Sequence, residues 1–194
     1  NNLTEDENLN ILTYPYMYNG GGVAVGDINN DGLPDLYFSA TQEPNRLFLN
    51  KGNLKFEDIS ASAGVDLAVG LKSGVTVVDI NADGFQDLYV CRSGKQPGAG
   101  RANLLYVNNG DLTFTDRATE YGLADASASN HANFFDYDLD GDLDVYVLNH
   151  PVDFNKVNSI SVIPDGDDFV RKTAPLNEWD SDKFYRNDGP AANG

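Results

Sequence analysis

The chain has 194 residues, with 30 aspartates and glutamates against 13 lysines and arginines, for a formal net charge of −17. So acidic a surface repels nucleic acid and anionic membranes, which excludes both as expected partners. No apolar stretch approaches the roughly 20 residues of a membrane span, and the start NNLTEDEN lacks the basic and then apolar pattern of a signal peptide, so an exported form would have lost that signal.

Residues 1–19 come first and are expected to form an extended arm. Within the arm, LNILTYPYMY at 9–18 predicts a strand with Tyr14, Tyr16 and Tyr18 on one face. Proline at position 15 cannot donate a hydrogen bond to a neighbouring strand, which favours an outermost place in a sheet. The arm has no partner in the pattern that follows it, so it is a candidate for pairing with another subunit.

An acidic loop follows the arm and recurs twice along the chain. Its copies are DINNDGLPD at 27–35, DINADGFQD at 79–87 and DYDLDGDLD at 136–144. Each copy is followed by an apolar strand and then by a second shared element, which reads RLFLNKGNLKFED at 46–58, LLYVNNGDLTFTD at 104–116 and KFYRNDG at 183–189. A period of roughly fifty residues indicates a repeat architecture.

Each repeat predicts four short antiparallel strands and no amphipathic helix. β-branched and aromatic residues dominate the strands, and Lys51-Gly52 and Asn109-Gly110 are hairpin turn signals. Such repeats are typical of β-propeller blades, whereas a β-sandwich, the competing fold, does not predict so regular a period. We therefore expect an all-β fold of about three propeller-type blades, over about 20–65, 72–123 and 130–194.

The third repeat departs from the other two. Residues 150–182 form an insertion between its second and third strands and contain the only tryptophan, Trp179. After Gly189 the sequence PAANG replaces the expected fourth strand. Few propellers have fewer than four blades, so either the chain is a piece of a longer propeller or it closes by assembly. In the second case the arm of one subunit would pair with the exposed edge of blade three in the next.

The acidic loops carry a polar or acidic residue at positions 1, 3, 5 and 9 and glycine at position 6. Their oxygens can converge on one point, and a bound cation removes the repulsion between them. Hard oxygen ligands favour Ca²⁺, about three ions in all, over zinc or copper, and Mg²⁺ is less suited because it keeps several waters. The position-7 residue would contribute its backbone carbonyl. The predicted ligands are Asp27, Asn29, Asp31, Leu33 and Asp35 in the first loop, Asp79, Asn81, Asp83, Phe85 and Asp87 in the second, and Asp136, Asp138, Asp140, Asp142 and Asp144 in the third.

Two other interpretations of the loops are weaker. An EF-hand needs a bidentate glutamate at position 12 and flanking helices, but position 12 is Phe38, Val90 or Val147, within predicted strands. Turns that are rich in aspartate only by chance could explain one loop, but not three in register. The sequence PDGDD, with Asp165, Asp167 and Asp168, lacks the nine-residue spacing and is expected to be a solvated turn.

The loop between two short strands resembles the FG-GAP or VCBS repeat of integrin-α-type β-propellers. The sequence RLFLNKGNLKFEDISASAGV at 46–65 is similar to blades of secreted cartilage-acidic-protein and ASPIC/UnbV-associated proteins. The resemblance implies calcium held between the first and second strands of each blade, an extracellular or cell-surface setting and a non-catalytic role. It identifies no ligand, because propellers host many functions.

An enzyme is not expected, since His131 and His150 have no nucleophile or catalytic motif beside them and the carboxylates are committed to metal. Carbohydrate binding is an alternative function, because exposed aromatic residues could stack on sugars. The expected function is that of a calcium-binding extracellular structural or interaction module, with a protein partner that could be a second copy of the chain. Cys91, the only cysteine, is expected to be a buried small hydrophobe.

Overall fold

The computed structural model describes residues 3–95, 100–152, 161–166, 168–172 and 181–189, and this part of the chain is nearly all β. One 3-10 helix, η1 (Pro15–Asn19), and one single-turn helix, α1 (Ser60–Ala63), accompany the strands. The strands are β1 (Val23–Gly26), β2 (Asp35–Phe38), β3 (Arg46–Asn50), β4 (Phe56–Asp58), β5 (Leu71–Val78), β6 (Asp87–Ser93), β7 (Leu104–Asn108), β8 (Phe114–Asp116), β9 (Ser129–Phe135), β10 (Asp144–Asn149), β11 (Ser161–Asp165), β12 (Asp168–Lys172) and β13 (Lys183–Tyr185).

Eleven of the described strands form three antiparallel sheets that correspond to the three repeats. Blade one has the order β1-β2-β3-β4, blade two the order β5-β6-β7-β8, and the described part of blade three the order β13-β10-β9. The prediction of propeller-type blades in an incomplete, open array is confirmed. The predicted hairpins are also present, with β3 paired to β4 and β7 paired to β8.

Successive side chains along a strand point in opposite directions, so every blade has two faces. We call the face toward the preceding blade the leading face and the face toward the following blade the trailing face. The trailing face of blade one packs on the leading face of blade two in one buried core, which includes Ala24, Tyr37, Leu47, Leu49, Val75, Leu88, Val90 and Tyr106. The trailing face of blade two packs on the leading face of blade three in a second core, which includes Tyr89, Leu105, Val107, Ala132, Val145 and Val147. Two interfaces of the same kind, which we call joints, therefore hold the three blades together.

On the trailing faces of blades one and two, a tyrosine ties its blade to the segment that leads into the next blade. The Tyr37 hydroxyl donates to the carbonyl of Val65 at 3.2 Å, and the Tyr89 hydroxyl donates to the carbonyl of Leu123 at 2.8 Å. Val65 and Leu123 occupy matching places after the fourth strand of their blades. The aromatic ring is thus buried in the joint while its polar end is satisfied by the connecting segment.

The prediction of a strand over residues 9–18 is wrong. The segment forms turns followed by η1, and Pro15 lies at the start of that helix, where its missing N–H costs nothing. Tyr14 is buried, with its hydroxyl 2.7 Å from His150 Nε2 and also hydrogen-bonded to Ser93. Because this tyrosine already has its partners at the ends of blades two and three, the segment is not a free arm.

The insertion in blade three contains strands β11 and β12, which pair as a separate antiparallel hairpin. The predicted solvated turn is the connection of this hairpin, with Asp165 ending β11 and Asp168 starting β12. The expectations for Asp167, Trp179 and the sequence after Gly189 lie outside the described residues. Cys91 is fully buried, as expected. No helix in the described ranges is long and apolar enough to span a bilayer.

Candidate metal sites

The three acidic loops join the first and second strands of their blades and share one backbone conformation. Glycine at position 6 has a φ of 83° in the first loop, 86° in the second and 95° in the third. Position 4 is also left-handed in every copy, at Asn30, Ala82 and Leu139, with φ between 56° and 62°. Glycine adopts such angles without strain, whereas the residues with side chains at position 4 adopt them at a cost in free energy. The repeated conformation places the polar positions around one turn.

The aspartate at position 1 closes each loop. In the first loop Asp27 Oδ1 accepts the N–H of Asp31 at 3.0 Å, and its Oδ2 accepts the N–H of Gly32 at 2.8 Å. Asp79 and Asp136 accept the corresponding pairs of N–H groups at 3.0 to 3.1 Å. Each of these oxygens keeps a further lone pair, so the carboxylate can hold the loop and still bind a cation.

The aspartate at position 9 is the most deeply buried acid of each loop, with Asp35, Asp87 and Asp144 all at most 1% exposed. One oxygen accepts the N–H at position 2, from Ile28, Ile80 or Tyr137, at 2.8 to 3.0 Å. The other accepts the N–H of an asparagine of the third-strand element, from Asn50, Asn108 or Asn187, at 2.7 to 2.8 Å. This carboxylate therefore fixes the loop to the body of its blade.

The side chains at positions 3 and 5 face each other in the first two loops. Asn29 Nδ2 donates to Asp31 Oδ2 at 3.0 Å, and Asn81 Nδ2 donates to Asp83 Oδ2 at 2.9 Å. In the third loop position 3 is Asp138, which lies with Asp136 and Asp144 so that one oxygen from each falls within 4.8 Å of the others. The structure thus brings three predicted ligands together in the third loop, whereas in the first two loops no three carboxylates lie that close to one another.

Burial and repulsion between neighbouring acids raise the pKa of the position-9 aspartate in the first two loops. Burial raises the pKa of Asp35, and Asp31 and Asp27 raise it further, against the two N–H donors that lower it. Asp87 follows the same pattern with Asp83 and Asp79. Concentrated negative charge of this kind is what a divalent cation relieves.

All the predicted side-chain ligands are oxygens of aspartate or asparagine, a set that suits Ca²⁺. The third loop offers four such aspartates and the first two offer three aspartates and one asparagine each. At position 7 the structure shows N–H groups that donate to the position-5 aspartate, from Leu33 and Phe85 at 2.8 Å and from Asp142 at 3.0 Å. Metal coordination by the position-7 carbonyls stays a prediction.

The first two loops are linked to each other, which sequence reasoning missed. Asn108 Nδ2, in blade two, donates to the carbonyl of Ile28 in the first loop at 2.8 Å. Asn30 Nδ2 donates to the carbonyl of Gly84 in the second loop at 2.9 Å. The sequence contains one indication that this asparagine has a structural role, because RLFLN, LLYVN and FYRN place an asparagine at the same point of each repeat.

Buried cations lie at the opposite end of the strands from the loops. Lys72 pairs with Arg92 across β5 and β6, and both are at most 4% exposed. The Lys72 ammonium donates to the carbonyls of Glu43 and Ala68 at 2.9 and 3.2 Å. Burial, with Arg92 nearby, lowers the pKa of Lys72 to about 8. Arg101 lies at the same end and donates to the carbonyl of Gly94 at 2.9 Å.

The two histidines are placed differently from each other. His150 is buried beside Tyr14, and burial followed by the charge of Arg101 lowers its pKa to about 4, so it is neutral at pH 7. His131 is half-buried in β9, and its Nδ1 is 2.5 Å from the point where a Cβ of Gly74 would lie. Gly74 therefore leaves room for this ring. Neither histidine is part of an acidic loop.

A family model described as an FG-GAP-like repeat matches the chain at residues 27–90 and 79–147. These matched residues contain all three acidic loops.

Curated relatives match over a similar stretch. Cartilage acidic protein 1 of Xenopus tropicalis is 36% identical over 133 residues, which cover 68% of this chain and 20% of that protein. Cartilage acidic protein 1 of Homo sapiens is 33% identical over 133 residues, with the same coverage. Integrin alpha-3 of Cricetulus griseus is 29% identical over 146 residues, 69% of this chain and 13% of that protein. The chain spans about a fifth of the length of the cartilage acidic proteins that it matches.

Proposed function

Because the chain belongs to the family of FG-GAP-like repeat proteins, we propose that it is a non-catalytic, extracellular interaction module whose three acidic loops each bind Ca²⁺. The observation that carries the proposal is the threefold recurrence of one loop geometry, with a buried aspartate at position 9 whose two oxygens are already held by N–H groups. Chance turns have no reason to repeat this arrangement together with its buried charge.

The ion would stabilise the fold more than it would drive chemistry. Its ligands come from a loop that hardly exists in the unfolded chain, so binding free energy becomes folding free energy. Asp27, Asp79 and Asp136 would act as ligands while their N–H partners keep the loops closed. A site saturated by protein oxygens has no open position for Lewis-acid catalysis, which supports a non-catalytic role.

An extracellular setting agrees with the expected strength of such sites. Calcium sites in extracellular modules have Kd values of about 10⁻⁴ to 10⁻³ M. They fill where calcium is abundant and stay empty in a cytoplasm. The likeness to cartilage acidic protein 1 and integrin alpha-3 supports a protein as partner. Carbohydrate binding stays a prediction, which a glycan array would test.

Calcium titration and thermal unfolding test the proposal together. We expect isothermal titration to give about three ions per chain, and we expect EDTA to lower the thermal midpoint until excess Ca²⁺ restores it. Asp31→Ala, Asp83→Ala and Asp140→Ala should each remove one ion and part of the midpoint shift, because each deletes the position-5 ligand of one loop. Asp66→Ala, which removes an exposed acid outside the loops, should leave both measurements unchanged. A midpoint insensitive to EDTA, with no heat of binding, would show that the loops are not calcium sites.

A further inference from the structure

The first two acidic loops are connected by a continuous path of hydrogen bonds. The buried Asp87 of the second loop accepts the N–H of Asn108 at 2.8 Å, and the side chain of Asn108 donates to the carbonyl of Ile28 at 2.8 Å. The N–H of Ile28 in turn donates to the buried Asp35 of the first loop at 3.0 Å. Two predicted calcium ligands, one in each loop, are therefore connected through a single asparagine.

A second bond connects the same two loops in the opposite direction. Asn30, at position 4 of the first loop, donates to the carbonyl of Gly84 in the second loop at 2.9 Å. That carbonyl belongs to the same peptide unit as the N–H of Phe85, which donates to the position-5 ligand Asp83 at 2.8 Å. Because a peptide unit is planar, fixing its carbonyl also fixes its N–H. A side chain of the first loop therefore helps to hold a ligand of the second.

The third loop is not connected to the second in this way. At position 4 the second loop has Ala82, whose side chain has no donor. Within the described residues, the side-chain hydrogen bonds of the third loop stay inside blade three. The three loops therefore divide into a connected pair and a separate third loop.

The loops also differ in how far their ligands are assembled. In the third loop, oxygens of Asp136, Asp138 and Asp144 already lie within 4.8 Å of one another, and all four predicted side-chain ligands are aspartates. In the first two loops position 3 is an asparagine, Asn29 or Asn81, whose amide donates to the aspartate at position 5. The charge of the ligands and the rigidity of the site set the affinity of a calcium loop. The third loop should therefore bind calcium more tightly than either of the others.

We propose that calcium binds this chain in two steps, first at the third loop alone and then at the first two loops together. The inference rests on the proposed calcium binding and specifies its order. An ion in one loop of the pair would fix peptide units and side chains that also shape the other loop, so less conformational entropy remains to be lost when the other loop binds. Electrostatic repulsion opposes this coupling only weakly, because the three aspartates of each loop of the pair leave a formal charge of −1 when one Ca²⁺ is bound.

The second step would act on the joint between blades one and two. The side-chain bonds of Asn30 and Asn108 both cross from one of these blades to the other. Cooperative filling of the pair would strengthen this joint over a narrow range of calcium concentration. The interaction module would therefore have one state with only its third loop filled and another with its first joint stiffened.

An NMR titration of the whole chain with calcium chloride follows each loop separately. The reporters are the amides of Gly32, Gly84 and Gly141, since each donates to the position-1 aspartate of its own loop. Gly141 should respond at a lower calcium concentration than the other two. Gly32 and Gly84 should respond together, with a Hill coefficient above one.

Ligand variants measure the coupling as a change in affinity. Asp83→Asn removes a charged ligand from the second loop but keeps an oxygen that can accept the N–H of Phe85. It should weaken calcium binding at the first loop by about fivefold or more, the lower end of the usual range for coupled sites. Asp140→Asn in the third loop is the matched control for loss of a neighbouring charge. It should weaken binding at the second loop by less than about twofold, because salt screens exposed charges.

Asparagine variants test the bonds between the loops without changing a charge or a predicted ligand. Asn30→Ala is compatible with the loop backbone, because Ala82 has a φ of 56° at the same position, against 58° for Asn30. Asn30→Ala and Asn108→Ala should each bring the Hill coefficient of the pair toward one. Each should also reduce the effect of Asp83→Asn on the first loop. Asn109→Ala, which removes bonds only within its own hairpin, should behave as wild type.

The possible failures can be told apart. Three loops that bind calcium independently would overturn this inference alone, and so would a third loop that fills after the other two. An unchanged Hill coefficient in both Asn30→Ala and Asn108→Ala would show that these bonds do not carry the coupling. No calcium binding at any loop would overturn the proposed function and this inference with it.

Discussion

Leu139 holds a backbone conformation that leucine resists. Its φ is 62° at position 4 of the third loop, where the first loop has Asn30 at 58°. A left-handed conformation costs an L-residue about 1–2 kcal/mol, and asparagine tolerates it best among the residues that carry a side chain. Since Leu139 is 86% exposed, packing of its side chain offsets little of that free-energy cost.

We predict that Leu139→Asn raises the free energy of unfolding by about 1 kcal/mol, because it relieves this strain. For a chain of this size that gain corresponds to roughly 2–4 °C in thermal midpoint. The matched control is Leu12→Asn, at a residue 87% exposed that has no positive φ. Both variants should be measured by urea unfolding in saturating calcium. Equal effects of the two substitutions would contradict the explanation by backbone strain.

His150 links stability to pH. Its pKa is about 4 in the folded chain against 6.5 when unperturbed. Between these values the unfolded chain binds the proton more readily, so stability is full above pH 6.5 and falls as pH drops toward 4. The loss is at most about 3 kcal/mol, from 1.36 kcal/mol per pKa unit. The raised pKa of Asp35 and Asp87 acts in the opposite direction, because it favours the folded chain as pH falls.

We predict that His150→Gln flattens the fall in stability between pH 6.5 and 4, because glutamine cannot take up a proton. Urea unfolding in EDTA at several pH values, which removes any effect of metal, measures the difference in slope between wild type and variant. Leu12→Asn, at an exposed residue that carries no titrating group, serves as the control and should keep the wild-type slope. If the two variants show the same pH dependence as wild type, His150 is not the titrating group.

At the scale of elements, the sequence predicted the strands well because each carries its own apolar residues between turn residues. Loop positions 1, 5, 6 and 9 could be predicted because the same residue recurs at each of them in every copy. The left-handed backbone at position 4 could not be predicted, because asparagine, alanine and leucine have this conformation there without having a chemical property in common. Residues 9–18 were misassigned because the alternation of tyrosines fits a strand, whereas burial of Tyr14 against His150 depends on contacts far away in sequence.

The hydrogen bond by which Asn108 connects two blades can be tested by comparison with Asn50, which occupies the equivalent position in blade one. Asn108→Ala removes a hydrogen bond to Ile28 in the neighbouring blade, whereas Asn50→Ala removes one to Pro34 in its own blade. We predict that Asn108→Ala speeds hydrogen exchange at the Asp31 and Gly32 amides of the first loop, although the change is in blade two. The cost should be about 1–3 kcal/mol, since a buried carbonyl loses its donor.

Asn50→Ala is the matched control, because each asparagine also holds a hairpin glycine through its Oδ1. It should leave amide exchange in the second loop unchanged. Exchange data should be collected by NMR in EDTA, so that metal does not mask the effect. First-loop amides that are indifferent to Asn108→Ala would mean that the two loops are independent.

At the scale of the whole molecule, the N-terminal segment connects the three blades at the end away from the loops. Thr4 and Gln42 exchange two hydrogen bonds, at 2.6 and 2.9 Å, at the end of blade one. Tyr14 contacts Ser93 and His150 at the ends of blades two and three. The joints hold neighbouring blades in pairs, whereas this segment spans all three.

We predict that Tyr14→Ala lowers the free energy of unfolding by about 3–5 kcal/mol, the usual cost of truncating a buried aromatic residue. Tyr14→Phe should cost about 1–3 kcal/mol, because it leaves buried polar partners without their hydrogen bond. Urea unfolding measures both variants, with Tyr18→Ala, at a residue 44% exposed, as a control within about 0.5 kcal/mol of wild type. A small effect of Tyr14→Ala would mean that the segment detaches easily.

The separation of the buried cations from the acidic loops makes the chain electrically polar. Lys72, Arg92 and Arg101 lie at one end of the strands of blade two, and the aspartates of the three loops lie at the other. Charges arranged in this way contribute an electric moment along the strands of blade two. Divalent cations bound in the loops would reduce that contribution.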